Sequence, residues 1–167
     1  MNSDLKLELL PVGMTEERFR LYEKYVRIRH GTLPSVAEEE FAAHCASENA
    51  SLTEYRDAAG SLCALGFIDV LPGGLSSVYF AWEPGQQRRS LGAFSIIAEA
   101  RLAASLGLPW YYLGFWVPGA HRMDYKADFV PFELALPDTA SPGGRSWMKY
   151  AAKEEALESL QRQSLRR

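Results

Sequence analysis

The sequence predicts an α/β (α+β) fold with a mixed central sheet flanked by helices. Two apolar, β-rich runs over residues 62–71 and 75–82 meet at Pro72-Gly73-Gly74, which marks a tight hairpin. A helical stripe over 91–106 then separates that hairpin from the aromatic run 110–116, the layout of a β-α-β unit whose strands lie parallel across the helix. At 167 residues, 47% hydrophobic and 12% aromatic, the chain suffices for one globule with a sizeable core. The expected division is a domain over 1–150 followed by a helix over 151–167.

In chain order, residues 15–30 read as a helix started by Thr15 and ended by Arg29-His30-Gly31. Phe19, Leu21, Tyr22, Tyr25, Val26 and Ile28 form its apolar arc. Arg20, Lys24 and Arg27 share the remaining side, as a solvated face or a stripe that tracks phosphates. A short helix over 38–44 and strands over 51–56 and 62–71 follow, the strands joined by Asp57-Ala-Ala-Gly60. Pro84-Gly85 breaks the next strand. Ser90 is placed to cap the helix 91–106, with Phe94, Ile97, Ala98, Arg101 and Leu102 toward the core and Gly107 as its stop. Alternation along 110–116 puts Tyr112 with Trp116 and Tyr111 with Phe115, one set in the core and the other free to line an acyl or base-stacking slot. A last strand over 132–136, a loop over 139–144 and a helix over 151–163 complete the chain. That helix carries Ala152, Ala156, Leu157 and Leu160 on one side.

Several function classes drop out. A net charge of −3 and a pI near 5.7 argue against a general nucleic-acid binder, though a local basic patch remains compatible. Cys45 and Cys63 fit neither a metal spacing nor a disulfide framework, and His30, His44 and His121 are scattered, so no metal is expected. There is no Ser/His/Asp arrangement and no Walker-type loop. No stretch approaches the roughly 20 apolar residues of a membrane span, and the first residues lack a signal-peptide core. The expectation is a single-domain cytoplasmic protein with no membrane partner.

Three segments carry candidate chemistry. Gln87-x-x-Ser90-x-Gly92, between a strand and a helix, is a degenerate form of the acyl-CoA phosphate turn Gln/Arg-x-x-Gly-x-Gly/Ala. Backbone N–H groups and the helix dipole favour anions there. Arg88 and Arg89 add bidentate donors, while the Cβ of Ser90 narrows the approach of a pyrophosphate. Asp69, before the hairpin turn, is placed either to orient and deprotonate an amine or simply to satisfy turn backbone. Tyr79 supplies an acid for a leaving hydroxyl. His121, Arg122 and Lys126 bring positive charge after the aromatic run.

Together these segments resemble the C-terminal half of the arginyl-tRNA–protein transferases and their bacterial relatives, the aspartate/glutamate leucyltransferases. The matching words are Leu21-Tyr22-x-x-Tyr25-Val26-x-x-Arg29-His30, Asp69-Val-Leu-Pro-x-Gly-Leu-Ser-Ser-Val-Tyr79 and Arg89-Ser-Leu-Gly92-x-x-Ser95. Leu106-Gly-Leu-Pro109, Tyr111-Tyr-Leu-Gly114 and Met123-x-Tyr-Lys126 extend the likeness, which runs from about Phe19 to Trp147. The resemblance implies a GNAT-type fold. It also implies transfer of an aminoacyl group from the 3′ end of tRNA to an amine, with the charged tRNA as co-substrate and no further cofactor.

On this reading the terminal adenosine and its phosphates lie near Arg88, Arg89, Ser90, Gly92 and Lys126. The aminoacyl side chain lies near Tyr79, Tyr112 and Trp116, and Asp69 meets the acceptor amine. The family's upstream cysteine-cluster domain has no counterpart in this sequence, so a protein N-terminus and a small-molecule amine both stay open as acceptors. An acyl-CoA N-acetyltransferase and a non-catalytic module that binds tRNA ends or N-termini are the alternatives.

Overall fold

The computed structural model describes residues 2–120 and 123–164. The chain forms two compact units, Met1–Gly114 and Phe115–Arg167, which are described in turn.

The first unit is built on a five-stranded sheet ordered β1-β2-β3-β4-β5. Its strands are β1 (Lys6–Pro11), β2 (Ala50–Arg56), β3 (Leu62–Leu71), β4 (Gly74–Trp82) and β5 (Trp110–Tyr112). The first four pair antiparallel, and β5 joins β4 in parallel after the crossover helix α3 (Leu91–Ser105). Helices α1 (Glu16–His30) and α2 (Pro34–His44) cover one face and α3 covers the other. The α1 boundaries follow from chemistry legible in the sequence. The Arg18 N–H donates to Thr15 Oγ1 at 3.3 Å, and Gly31 takes the left-handed φ of 72° that ends the helix.

Alternation assigns each strand residue to a face. Leu52, Leu65, Phe67 and Ala81 pack with Tyr22, Tyr25, Val26 and Phe41 under α1 and α2. Tyr55, Ala64, Ile68 and Leu75 face α3. On the α1 side Glu54, 4% exposed, accepts from Arg18 Nε at 2.7 Å and from Arg56 Nε at 2.8 Å. That carboxylate is tolerated in the interior because both cations reach it.

The α3 face holds a second buried carboxyl. Glu99 is 1% exposed; its Oε1 accepts from Thr53 Oγ1 and from the Tyr55 hydroxyl, each at 3.1 Å, and its Oε2 accepts from the Tyr111 hydroxyl at 2.6 Å. Burial pushes its pKa up, against the pull of these three hydroxyls. The buried stripe of α3 is therefore Leu91, Ser95, Ile96, Glu99 and Ala103, with Phe94, Ala98 and Leu102 packed beside it. Of the stripe expected from sequence, Ile97 is 43% exposed and Arg101 faces solvent. Both lie one helical step from the true contact line.

Other expectations shift as well. Ile28, placed on the apolar arc of α1, is 56% exposed. The run 110–116 is not one buried strand: β5 stops at Tyr112, Gly114 turns the chain at φ 73°, and Phe115 is 82% exposed. Strand β1, unread in the sequence, closes the far edge of the sheet.

The second unit contains a two-stranded antiparallel sheet, β6 (Phe132–Pro137) with β7 (Arg145–Tyr150), and helix α4 (Lys153–Ser164). Leu136, Tyr150 and Ala156 form its core with Trp116, Phe132, Leu134 and Leu160. The expected boundary at 150/151 falls between β7 and α4, two elements that share this core.

Gly66 lies beneath the Glu99 carboxyl, where an added Cβ would stand 2.2 Å from Thr53 Oγ1 and 2.7 Å from Glu99 Oε1. Gly66→Ala therefore overpacks a rigid site and is expected to lower the thermal unfolding midpoint by roughly 5 °C. Gly73→Ala, with nothing within 4 Å of its added Cβ, should leave the midpoint nearly unchanged in the same calorimetric measurement.

Candidate functional site

The site begins with the register of the β3–β4 hairpin. Phe67 pairs with Tyr79 and Ile68 with Ser77, so Val78 is the extra residue of a β-bulge. Beyond the bulge Asp69 faces Ser76, and Ser76 is aligned with Tyr112 on β5. Asp69, Ser76 and Tyr112 thus stand in a row on the face of the sheet that carries Phe67 and Tyr79. The Asp69 Oδ1 atom is buried and has no hydrogen-bond partner among the described residues. A buried carboxylate oxygen in that state is costly until a donor reaches it. Tyr112 lies against Gly74, where an added Cβ would come within 2.7 Å of its Cε2.

Tyr79 is enclosed by the ends of α1 and α2. Its hydroxyl lies 3.1 Å from His30 Nε2, and its ring stacks on His44 with centroids 4.7 Å apart and planes 16° from parallel. Tyr22 and Tyr25 meet the same ring edge-on at 5.8 and 6.3 Å. Burial holds the His44 imidazole below its ordinary pKa, and the Glu40 carboxylate opposes that shift. Two histidines that look scattered in the sequence therefore converge on Tyr79. Each closes a helix, and that shared position was the one signal available. His121, the third, lies outside the described residues, as does Arg122.

The turn before α3 is a 3₁₀ segment, Pro84–Arg89, followed by Ser90. Ser90 occupies the N-cap position of α3 in the left-handed region, φ 50° and ψ 46°, without a side-chain hydrogen bond to the helix. It was expected to cap the helix and does not, because a capping side chain reaches the first-turn N–H groups from extended backbone and Ser90 is left-handed. The same backbone explains why glycine suits this place in the pattern. Arg88 projects exposed from the turn. Arg89 is drawn inward: its guanidinium donates to Asn2 Oδ1 at 2.8 Å, Asp4 Oδ1 at 2.6 Å and Gln86 Oε1 at 3.4 Å, while Asn2 Nδ2 donates to the Arg89 carbonyl at 2.9 Å. Gly92 lies in the first turn of α3, where its carbonyl accepts from Ser95 Oγ at 2.9 Å.

Lys126 and Trp116 belong to the second unit. Lys126, in the 3₁₀ segment Asp124–Asp128, donates to the Phe115 carbonyl at 3.2 Å, and burial pulls its ammonium pKa down. Lys153 holds the neighbouring Asp124 from 2.8 Å and lowers its pKa. Trp116 meets Phe132 edge-on at 5.9 Å inside the core of its unit. The strand expected to align it with Tyr112 ends before it. Among the described residues no group of three His, Cys, Asp or Glu side chains is placed to hold a metal ion, and no helix is long and apolar enough to cross a membrane.

Residues 17–136 match the family model described as arginine-tRNA-protein transferase, C terminus. The chain belongs to that family. Two curated relatives are similar over most of its length. An aspartate/glutamate leucyltransferase of Acinetobacter baylyi is 36% identical over 141 residues, which cover 81% of this chain and 51% of the relative. One of Caulobacter vibrioides is 38% identical over 162 residues, 92% of this chain and 56% of the relative. The chain thus spans about half the length of the curated relatives it matches. Among solved structures, the ribosomal-protein-S18-alanine N-acetyltransferase from Escherichia coli superposes with a TM-score of 0.56 at 16% identity, over 86% of this chain and 90% of that one. This likeness establishes the GNAT fold. The family match takes in Asp69, Tyr79, the turn 87–93, Tyr112, Trp116 and Lys126.

The environment of His44 fixes the sign of a pH effect. A histidine whose folded-state pKa is depressed contributes stability that is present above its ordinary value of 6.5 and is lost as the pH falls through the folded value. Denaturant unfolding at pH 7.5 and 5.5 should show a larger loss for the wild type than for His44→Phe, which keeps a ring against Tyr79 and cannot protonate. Equal losses would mean that the imidazole is not held neutral.

Proposed function

We propose that this chain moves an aminoacyl group from the 3′ end of charged tRNA onto an amine, forming an amide. The reading rests on the family match and on one structural observation: the buried Asp69 Oδ1, which has no donor among the described residues, stands in a row with Tyr112 on the face that carries Tyr79. An amine supplies the missing N–H donor. Its nitrogen attacks the ester carbonyl, the C–N bond forms, and the C–O bond to the ribose breaks. One proton leaves the nitrogen for Asp69, and one reaches the departing ribose oxygen from Tyr79, whose hydroxyl meets His30 Nε2 at 3.1 Å. The ester is already activated, so positioning and charge stabilisation carry most of the remaining barrier.

The backbone at the start of α3 from Ser90 to Gly92, with Arg88 exposed beside it, suits the terminal phosphates. Arg89 acts there by anchoring the turn to Asn2 and Asp4. On the second unit Lys126 offers a further cation to tRNA phosphate. Tyr112 is the aminoacyl contact, because the ring of Trp116 is committed to the core of its own unit. The names of the relatives support leucine as the residue moved and an N-terminal Asp or Glu as the acceptor. A small-molecule amine enters the same test, no further cofactor is invoked, and the reaction belongs in the cytoplasm with its donor.

Purified protein incubated with labelled aminoacyl-tRNAs and a panel of acidic-N-terminal peptides and small amines should yield amide-linked label. Consumption of acetyl-CoA with no deacylation of any tRNA above background would overturn the reading. Asp69→Asn should lower kcat by about 10²–10⁴-fold, the usual worth of a positioned acid or base, with donor affinity little changed. Arg88→Ala should instead raise KM for the tRNA and flatten its salt dependence.

A further inference from the structure

We infer that Glu99 is a positioning residue, whose hydrogen bond to Tyr111 holds β5 in the register that keeps Tyr112 on the site face of the sheet. The inference rests on the function proposed above and extends it to a residue outside the site.

Strand β5 is weakly held by its own backbone. It has three residues, pairs with β4 only from Gly74 to Ser76, and begins with Trp110, which is 48% exposed. A parallel ladder of that length tolerates a slip, and a slip of one residue exchanges the faces of Tyr111 and Tyr112. Apolar packing of Tyr111 with Ile68, Leu75 and Ala103 is non-directional and does not forbid it. A hydroxyl-to-carboxyl hydrogen bond of 2.6 Å does, because it fixes one atom of β5 against α3.

The anchor is in turn immobile. Its other oxygen is held by Thr53 and Tyr55 of β2, and Gly66 of β3 leaves the volume that the carboxyl occupies. One side chain of α3 thereby reaches β2, β3 and β5 together. A leucine at 99 would fill similar space, yet it would leave the hydroxyls of Thr53, Tyr55 and Tyr111 without this acceptor.

Tyr111→Phe removes one hydroxyl and retains the ring, so the fold should survive. Two measurements on the full chain test the inference: hydrogen exchange at the amides of residues 110–112, with those of α1 as control, and the dissociation constant of a non-hydrolysable aminoacyl-adenosine amide. Tyr111→Phe should speed exchange at 110–112 about tenfold and weaken the analogue about tenfold, the worth of one buried hydrogen bond, with α1 amides unchanged. Glu99→Gln, which keeps an acceptor carbonyl, should stay within about threefold of the wild type in both. Unchanged β5 exchange in Tyr111→Phe overturns the inference, and so does faster exchange with unaltered analogue affinity. Failure of the wild type itself to bind the analogue counts against the proposed donor, while the exchange measurement still decides whether Tyr111 holds the strand.

Discussion

The two edges of β4 are held unequally, and the site depends on that difference. Along one edge β4 is laddered to β3 from Gly74 to Trp82; along the other the parallel ladder with β5 covers Gly74 to Ser76 alone. A strand paired throughout on both edges would have no opening at which a ligand could meet its backbone. A strand paired on neither would have no defined geometry to present. The bulge at Val78 falls just past the end of the short ladder, where β5 has no further residues to offer. Asp69, Ser76 and Tyr112 lie on the paired side of this point and Tyr79 on the other. The chemistry proposed for them is therefore arranged around a change in strand pairing.

The turn before α3 shows how two adjacent arginines with equal promise in sequence take separate duties. Arg89 gives its guanidinium to Asn2, Asp4 and Gln86, which ties the start of the chain to the turn. Arg88, exposed, keeps its charge available. Such a division suits an anion site, because backbone N–H groups at a helix start bind well only if the turn that aims them is rigid. Ser90 adds to this: a non-glycine residue in the left-handed region is strained, by roughly 1 kcal/mol, and persists because the surrounding contacts hold the turn in place.

Much of the frame was legible because local chemistry and global position agree there. Thr15 and Gly31 delimit α1, Pro72-Gly73 joins β3 to β4, and Gly107 follows α3 in the left-handed region. The unread parts share a cause: a side chain whose role is set by residues distant in sequence. Glu99 carries no sign of burial on a helix until Thr53, Tyr55 and Tyr111 are brought around it, and the expected stripe of α3 fell on Ile97 and Arg101 instead. His30 and His44 become neighbours only when both helices end over Tyr79. The aromatic run at 110–116 divides between two cores, with Tyr111 in one and Trp116 in the other, and composition gives no sign of the break at Gly114. Of the candidate site, Asp69 and Tyr79 were named from sequence, whereas the His30 contact of Tyr79 and the Glu99–Tyr111 hydrogen bond were not.

The extra residue at Val78 has a consequence for how β4 encodes its two faces. Up to Ser77 the strand follows one phase of alternation, with Leu75 toward α3 and Ser76 toward α1 and α2; from Tyr79 onward it follows the opposite phase, with Tyr79 and Ala81 toward α1 and α2. Odd-numbered residues thus serve one layer in the first half and the other layer in the second. The strand behaves as two short messages spliced at a single residue, and neither can be read in the frame of the other. Without that splice, Tyr79 could face the histidines only by turning Ser76 away from them, so the single inserted residue lets one strand present a hydroxyl to the same side from both of its halves.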